Sequence, residues 1–230
     1  MTMKTKLSET DFSINITRSL VEKKLEHFLI NEDHPCVMAQ SLFKQERIIF
    51  DIYGAMQKNH TASLLLKNIE RYLTEYNFDN NRYQSYLAVF PKDTFRSEQE
   101  FEDALWILLQ NLHIQDDKPW DKSVSSDSND ENFSFSIKGK AFYIVGMHPE
   151  SSRNARKSPY TMIAFNLHWQ FEQLREHELY GNVRDTIRER DKERNGSINP
   201  VLRDFGTASE ALQYSGKKNN EKWKCPFHKV

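Results

Sequence analysis

Three short apolar segments follow one another closely in the second half of the chain, and they constrain its fold most. Phe133–Ile137 and Ala141–Val145 have the β-branched and aromatic content of strands, and Gly139 between them is typical of a hairpin turn. A third candidate strand, Thr161–Leu167, comes soon after them. Because a lone hairpin cannot bury a face stably, the three segments predict a sheet that takes further strands from the first half.

The first half supplies two more strand candidates between segments of helical periodicity. Arg47–Tyr53 and Tyr83–Phe90 are rich in β-branched and aromatic residues. Ser97 and Glu100 form a predicted capping box at the start of a helix. The apolar faces of the predicted helices are, in chain order, Leu20, Leu25, Phe28 and Leu29; Leu65, Ile69, Tyr72, Leu73 and Tyr76; and Phe101, Leu105, Leu108 and Leu112.

The helices and strands do not alternate regularly, which argues against a doubly wound parallel sheet. The predicted fold class is α+β, with a mainly antiparallel sheet flanked by helices. Asp116–Asn132 is polar and too long for a simple connector, so we predict a mobile loop that serves as a lid or an excursion. It separates a helical half, residues 1–115, from a strand-led half, residues 133–230, within one domain spanning residues 1–230. A helix from His168 to about Tyr180 and a second helical stretch to Arg194 complete the pattern.

Composition excludes several classes of function. The chain has 230 residues and a net charge of −1, so no basic excess indicates nucleic-acid binding. No apolar run suits a signal peptide or a membrane span, and no membrane association is expected, which makes the cytoplasm the expected compartment. With only two cysteines, Cys36 and Cys225, a structural disulfide is not expected there. No strand precedes a Gly-x-Gly-x-x-Gly turn, so a dinucleotide-binding unit is not supported.

Two histidines stand at the ends of predicted strands. His148 is followed by Pro149, which would hold it on a fixed turn at the sheet edge, and neutral imidazole is a common metal ligand. A structural alternative is that His148 only hydrogen-bonds its turn. His168 and Asn166 close the next strand and could face a cavity, although Asn166 could instead cap a helix.

Carboxylates and a Cys-Pro pair near the C-terminus are the other candidates. Asp204 and Glu210 could receive a cationic substrate, because a guanidinium matches a carboxylate in bidentate fashion. The structural alternative for Asp204 is an ion pair with Arg203 or another neighbour. The alternative for Glu210 is a place in a short helix that Ser209 caps. Cys225 precedes Pro226 beside aromatic residues, and the neighbouring Lys224 would favour the thiolate form that ligates haem iron. A buried, inert cysteine is the alternative, and Cys36 after Pro35 raises the same question.

The order of these short patterns is more specific than any one of them. The series runs through His148-Pro149-Glu150-Ser151-Ser152-Arg153, Phe165-Asn166-Leu167-His168, Gly196-Ser197-Ile198-Asn199-Pro200, Asp204-Phe205-Gly206, Ser209-Glu210-Ala211-Leu212-Gln213-Tyr214-Ser215-Gly216 and Trp223-Lys224-Cys225-Pro226-Phe227. It resembles the YqcI/YcgG family over residues 141–227. Pro35, Cys36 and Ala39 also resemble that family's Phe-Pro-Cys-x-x-Ala segment, with His34 where phenylalanine is usual.

The resemblance implies a haem b cofactor and hydroxylation of a guanidino nitrogen, with arginine as an example of the substrate. By that resemblance His148 is the first choice as axial ligand of the haem iron, followed by Cys225, His168 and Cys36. Arg153 would pair with a haem propionate. Asn166, Asp204 and Glu210 would form the polar, catalytic end of the substrate pocket.

The same resemblance leaves several partners open. No reductase domain is recognisable, so an external electron donor or peroxide is expected. A homodimer is left open. The alternative function is a haem carrier or sensor without turnover.

Overall fold

The computed structural model describes residues 9–80, 82–198, 204–220 and 222–229, with side chains from Arg18 onward. Its strands are β1 Ile48–Ile52, β2 Ser85–Phe90, β3 Phe135–Ile137, β4 Lys140–Met147 and β5 Thr161–Leu167. They form a five-stranded sheet in the order β1-β2-β5-β4-β3. Its helices are α1 Glu9–Glu26, which continues as a π-helical turn His27–Asn31, then α2 Val37–Lys44, α3 Asn59–Glu75, α4 Glu98–Gln115, α5 His168–Glu176 and α6 Tyr180–Asn195.

The sheet is mainly antiparallel, as the sequence predicts. β1 and β2 pair in parallel, and α3 provides the crossover that such a pair needs. The other three pairings are antiparallel. The predicted α+β class with one domain is therefore confirmed.

The hairpin between β3 and β4 forms where the sequence predicts a turn. Lys138 and Gly139 both have positive φ, of 52° and 73°, which matches the right-handed twist of the strands on either side. The predicted first strand is shorter than expected, because β3 begins at Phe135 rather than at Phe133.

The large core lies between one face of the sheet and the pair α3 and α4. Tyr86, Phe165 and Ile144 of the sheet are fully buried against Leu65 and Leu105 of these helices. The predicted apolar faces of α3 and α4 are confirmed, with Leu73 only partly buried at the margin. This face therefore follows the helical and strand periodicities directly.

A smaller core lies on the opposite face of the sheet, against α1. Leu25 and Phe28 pack there with Leu87 and Met162. The prediction is wrong for Leu20, which is half exposed, because the buried turn of α1 presents Val21 instead.

Two helix ends differ from the sequence prediction. The Ser97 hydroxyl accepts a hydrogen bond from the Glu100 N–H at 3.2 Å, as a capping box requires. The Glu100 carboxylate, however, accepts from the N–H of Arg96 rather than of Ser97. The helix from His168 ends at Glu176, because Glu178 has a φ of 58° and starts a turn before α6.

The segment 116–132 contains no helix or strand, but it is attached to the hairpin. The Asp116 carboxylate accepts from the Lys138 N–H at 2.6 Å, and the Asp121 carboxylate accepts from the Ala141 N–H at 2.9 Å. Its mobility stays a prediction. None of the helices in the described ranges is long and apolar enough to span a bilayer.

Candidate functional site

A cavity of about 340 Å³ lies between the second face of the sheet and the helices α1, α2, α5 and α6. This volume is within the range of small-molecule sites. Its floor consists of alternate residues of two paired strands, since neighbouring side chains of a strand point to opposite faces. These floor residues are Tyr143, Val145 and Met147 of β4, and Met162, Ala164 and Asn166 of β5.

The cavity brings together six of the eight residues to which the sequence assigns a role. These are Cys36, Arg153, Asn166, His168, Asp204 and Glu210. His148 and Cys225 do not line it. The predicted cofactor and substrate residues are therefore divided between the cavity and the other side of the sheet.

His148 lies beneath α4 instead of facing the cavity. Its ring is fully buried and stacks on Phe101 with ring centroids 4.5 Å apart. Its backbone N–H donates to the Arg156 carbonyl at 3.0 Å, which fixes the turn. Neither ring nitrogen has a hydrogen-bond partner among the described residues, and burial lowers the pKa of the ring. The ring therefore contributes an uncharged packing surface.

Cys225 packs at the margin of the core of α3 and α4. Burial raises the pKa of its thiol to about 11, and the sequence-based expectation that Lys224 would favour the thiolate is wrong for this environment. The opposing hydrogen bonds, from the Phe227 backbone and the Ser128 side chain, do not offset the burial. Cys225 is therefore a protonated thiol at neutral pH.

His168 stands where β5 becomes α5, and it reaches the cavity. Its Nε2 lies 3.0 Å from a carboxylate oxygen of Glu172, and its ring packs against Phe205. Burial lowers the pKa of the ring, so the neutral form donates from Nε2 and leaves an unprotonated Nδ1. Nδ1 is buried and has no partner in the described part of the chain. A histidine held by a carboxylate through one nitrogen is the arrangement found at metal sites.

Cys36 caps the N-terminus of α2 from the cavity wall. Its Sγ accepts a hydrogen bond from the Ala39 N–H at 3.4 Å. Burial raises the pKa of the thiol, whereas the backbone N–H groups of Ala39 and Met38 and the charges of Arg156 and Arg190 act in the opposite direction. The sulfur is therefore protonated when free, but it lies where donors and positive charge would stabilise a thiolate.

His34 holds the turn that presents Cys36, a role the sequence did not indicate. Its Nδ1 accepts from the Cys36 N–H at 3.1 Å, so its Nε2 donates to the Ala155 carbonyl at 3.0 Å. Burial lowers the pKa of this ring to about 4, and the ring stays neutral. The one available signal was its position beside Pro35 and Cys36.

The carboxylates proposed for substrate binding already have partners or carry a proton. Asp204 accepts hydrogen bonds at 2.9 Å from both Arg184 and Arg188 of α6. Glu210 is buried beside the Tyr214 hydroxyl, and burial raises the pKa of its carboxyl group to about 8. Neither group is therefore an unpaired anion at neutral pH.

Two polar residues of the floor and rim are held in fixed orientations. The Asn166 side-chain oxygen accepts from the Ser85 hydroxyl at 2.8 Å, and its nitrogen donates to the Tyr143 carbonyl at 3.4 Å. Arg153 donates to Asp191 at 2.5 Å and to the Ser197 carbonyl at 2.9 Å. Arg153 is thus engaged within the protein rather than waiting for an anion.

No group of three or more His, Cys, Asp or Glu side chains in the described ranges is arranged to hold a metal ion. A porphyrin needs only one or two protein ligands for its iron. Cys36 and the unpaired Nδ1 of His168, both on the cavity wall, are compatible with that smaller requirement.

The fold and cavity define an α+β protein with one mainly antiparallel sheet and a largely apolar cavity between that sheet and its helices. The chain belongs to the YqcI/YcgG family, whose sequence model matches residues 25–228. It is 25% identical to the uncharacterized protein YcgG of Bacillus subtilis (strain 168) over 199 residues, which cover 84% of this chain and 75% of that protein. It is 24% identical to the uncharacterized protein YqcI of the same strain over 215 residues, which cover 85% of this chain and 81% of that protein. No solved structure matches.

Proposed function

We propose that the protein is a haem-dependent oxygenase that hydroxylates a nitrogen of a guanidino compound such as arginine. The observation that carries this proposal is the cavity, which holds a cysteine at a helix N-terminus and a histidine with an unpaired nitrogen. Bound haem would supply the activation of dioxygen or peroxide and the transfer of one oxygen atom to the substrate nitrogen. The electrons would come from an external donor or from peroxide, in the cytoplasm.

Cys36 would be the first-choice residue to hold the iron of a bound haem, and His168 would be the alternative. A thiol becomes deprotonated when it binds a metal. The Ala39 N–H and the N-terminus of α2 would then stabilise the negative sulfur. A thiolate ligand also favours O–O bond cleavage. His148 and Cys225, the first choices from the sequence, lack access to the cavity wall.

Glu210 and Asn166 are the residues proposed to prepare the substrate nitrogen. Oxygen transfer needs a nitrogen lone pair, so a guanidinium must first lose a proton. The ionised form of Glu210, a minor fraction at neutral pH because its pKa is about 8, would accept that proton, and the Tyr214 hydroxyl donates to its carboxylate and orients it. Asn166 is locked by Ser85 and can orient a polar group without moving.

A haem carrier or sensor is the second candidate function, and the two ion pairs that Asp204 already makes favour it. Two arginines already neutralise this carboxylate. A cationic substrate would have to displace one of them. A protein that binds haem without turnover has no such requirement.

The test begins with haem titration of the purified protein and of four variants. Cys36→Ala and His168→Ala remove the two cavity candidates, and Cys225→Ala and His148→Ala are the matched controls on the other side of the sheet. We expect a thiolate-type spectrum of the reduced carbon-monoxide complex that changes in Cys36→Ala and persists in Cys225→Ala. Loss of haem binding in both controls, with retention in both cavity variants, would refute the assignment.

Turnover is tested separately on the haem-loaded protein. Arginine is incubated with peroxide, or with dioxygen and a reductant, and the products are analysed by mass spectrometry. A product heavier by one oxygen atom supports the oxygenase. Tight haem binding without any oxidised product from a panel of guanidino compounds supports the carrier.

A further inference from the structure

Arg156 is a buried charge at the cavity wall that has no ion-pair partner in the part of the chain that the structure describes. Arg156 is only 8% exposed, and it lines the cavity. Its guanidinium donates to the Gly146 carbonyl at 2.8 Å and to the Gln213 carbonyl at 3.2 Å. Among the described residues no carboxylate lies within 4.0 Å of it. Burial of a charge is costly unless another charge compensates it.

The other arginines of the cavity wall differ from Arg156 in this respect, since each has a carboxylate partner. The ion pairs are Arg153 with Asp191, Arg175 with Glu172, Arg184 with both Asp185 and Asp204, and Arg188 with Asp204. Asp191 also acts electrostatically on Arg156, but its carboxylate oxygens accept hydrogen bonds from Arg153 and Asn195. Four of the five arginines of the wall therefore have a partner carboxylate, and Arg156 has none within 4.0 Å among the described residues.

The nearby ionisable groups do not supply the missing negative charge. Glu210 is the remaining carboxylate of the wall, and its raised pKa keeps it largely protonated at neutral pH. Tyr143 interacts electrostatically with Arg156, but burial raises the pKa of its hydroxyl. The groups around the cavity thus leave an excess of positive charge near Arg156.

We propose that Arg156 receives a carboxylate group of the molecule bound in the cavity. A guanidinium presents its N–H donors in a rigid fork that fits a carboxylate. The carboxylate has two sources, a propionate of the porphyrin or the α-carboxylate of an amino-acid substrate. The choice of these two sources rests on the proposed function, whereas the need of Arg156 for a carboxylate does not. Arg156 takes the place of Arg153, which the family resemblance suggested for a propionate and which is already paired with Asp191.

The experiment compares two ligand pairs that differ only in their carboxylates. The first pair is haem and haem dimethyl ester, and the second is L-arginine and agmatine. Binding of each is measured by absorbance titration or calorimetry to the unmodified chain and to Arg156→Gln, Arg156→Lys and Arg153→Gln. Affinity ratios are taken within each variant, so a general loss of stability cancels.

We expect the unmodified chain to prefer the carboxylate form of one pair by on the order of ten- to a hundredfold, as a charge-assisted hydrogen bond provides. Arg156→Gln should abolish that preference, Arg156→Lys should keep part of it, and Arg153→Gln should keep most of it. Loss within the haem pair identifies a propionate, and loss within the arginine pair identifies a substrate carboxylate.

Several results overturn the inference. One is an equal affinity for both members of each pair, or no binding of any of the four compounds. Another is a preference that persists in Arg156→Gln. A third is that Cys36 is alkylated more slowly in Arg156→Gln than in the unmodified chain, while the preference for the carboxylate form is unchanged in both ligand pairs. That result would make the Cys36 thiolate the partner of Arg156. Failure of haem alone to bind refutes the proposed function, while the arginine pair still tests Arg156.

Discussion

Glu210→Gln should make the stability of the protein less dependent on pH. Glu210 is 5% exposed, and its pKa changes from 4.5 to about 8 on burial. Between these values the folded state holds a proton that the unfolded state has lost, so the free energy of unfolding falls as the pH rises. One pKa unit is worth about 1.4 kcal/mol, and the full change from 4.5 to about 8 corresponds to about 5 kcal/mol.

Glutamine resembles the protonated acid and keeps a hydrogen-bond acceptor for Tyr214. The free energies of unfolding of the variant and the parent should therefore be similar near pH 4.5. The variant should become more stable than the parent as the pH rises towards about 8. The measurement is urea unfolding over that range, and Glu75→Gln at an exposed position of α3 is the control. A difference between Glu210→Gln and the parent that stays constant with pH would refute the buried, protonated carboxyl group.

Three substitutions test the packing of the fold. Gly146→Ala places a Cβ 2.8 Å from both the Phe101 ring and the Tyr214 carbonyl, and overpacking of this kind should cost about 1–3 kcal/mol in urea unfolding. In Gly181→Ala of α6 no atom lies within 4 Å of the new Cβ, and the free energy of unfolding should rise by about 0.4–1 kcal/mol. A comparable loss of stability in both glycine variants would contradict the difference in space around the two positions. Ser97→Ala removes the cap of α4 and should lower the unfolding free energy by about 1 kcal/mol, and an unchanged unfolding midpoint would show that the cap contributes little.

The fold followed from local patterns wherever those patterns agreed with tertiary packing. The strand Thr161–Leu167 and the capped start of α4 formed at the predicted residues. The end of α5 could not be predicted, because it depends on a left-handed residue, Glu178, that is neither glycine nor asparagine. The exposed position of Leu20 depends on which turn of α1 meets the sheet, and helical spacing alone leaves that choice open.

The candidate site was less predictable, because it depends on which charges meet in space. Asp204 and its partner arginines lie 16 to 20 residues apart in the chain, and the distance in sequence gave no indication of the pairing. Arg156 lies three residues after Arg153, and no sequence pattern distinguishes the two. Only the contacts of α6 show that Arg153 is neutralised, whereas Arg156 has no carboxylate within ion-pair distance among the described residues.

Alternation along the two central strands explains why one histidine reaches the cavity and the other does not. In β4 the odd-numbered residues, such as Tyr143, form the cavity floor, and His148 continues the even-numbered series that faces α4. In β5 the even-numbered residues form the floor, because Tyr143 pairs with Asn166, and His168 continues that series. Both faces of the sheet are apolar, so periodicity alone could not identify the face with the cavity. A change of one residue in the register of β4 would exchange the faces, which makes the pairing of Tyr143 with Asn166 the feature that assigns each histidine its surroundings.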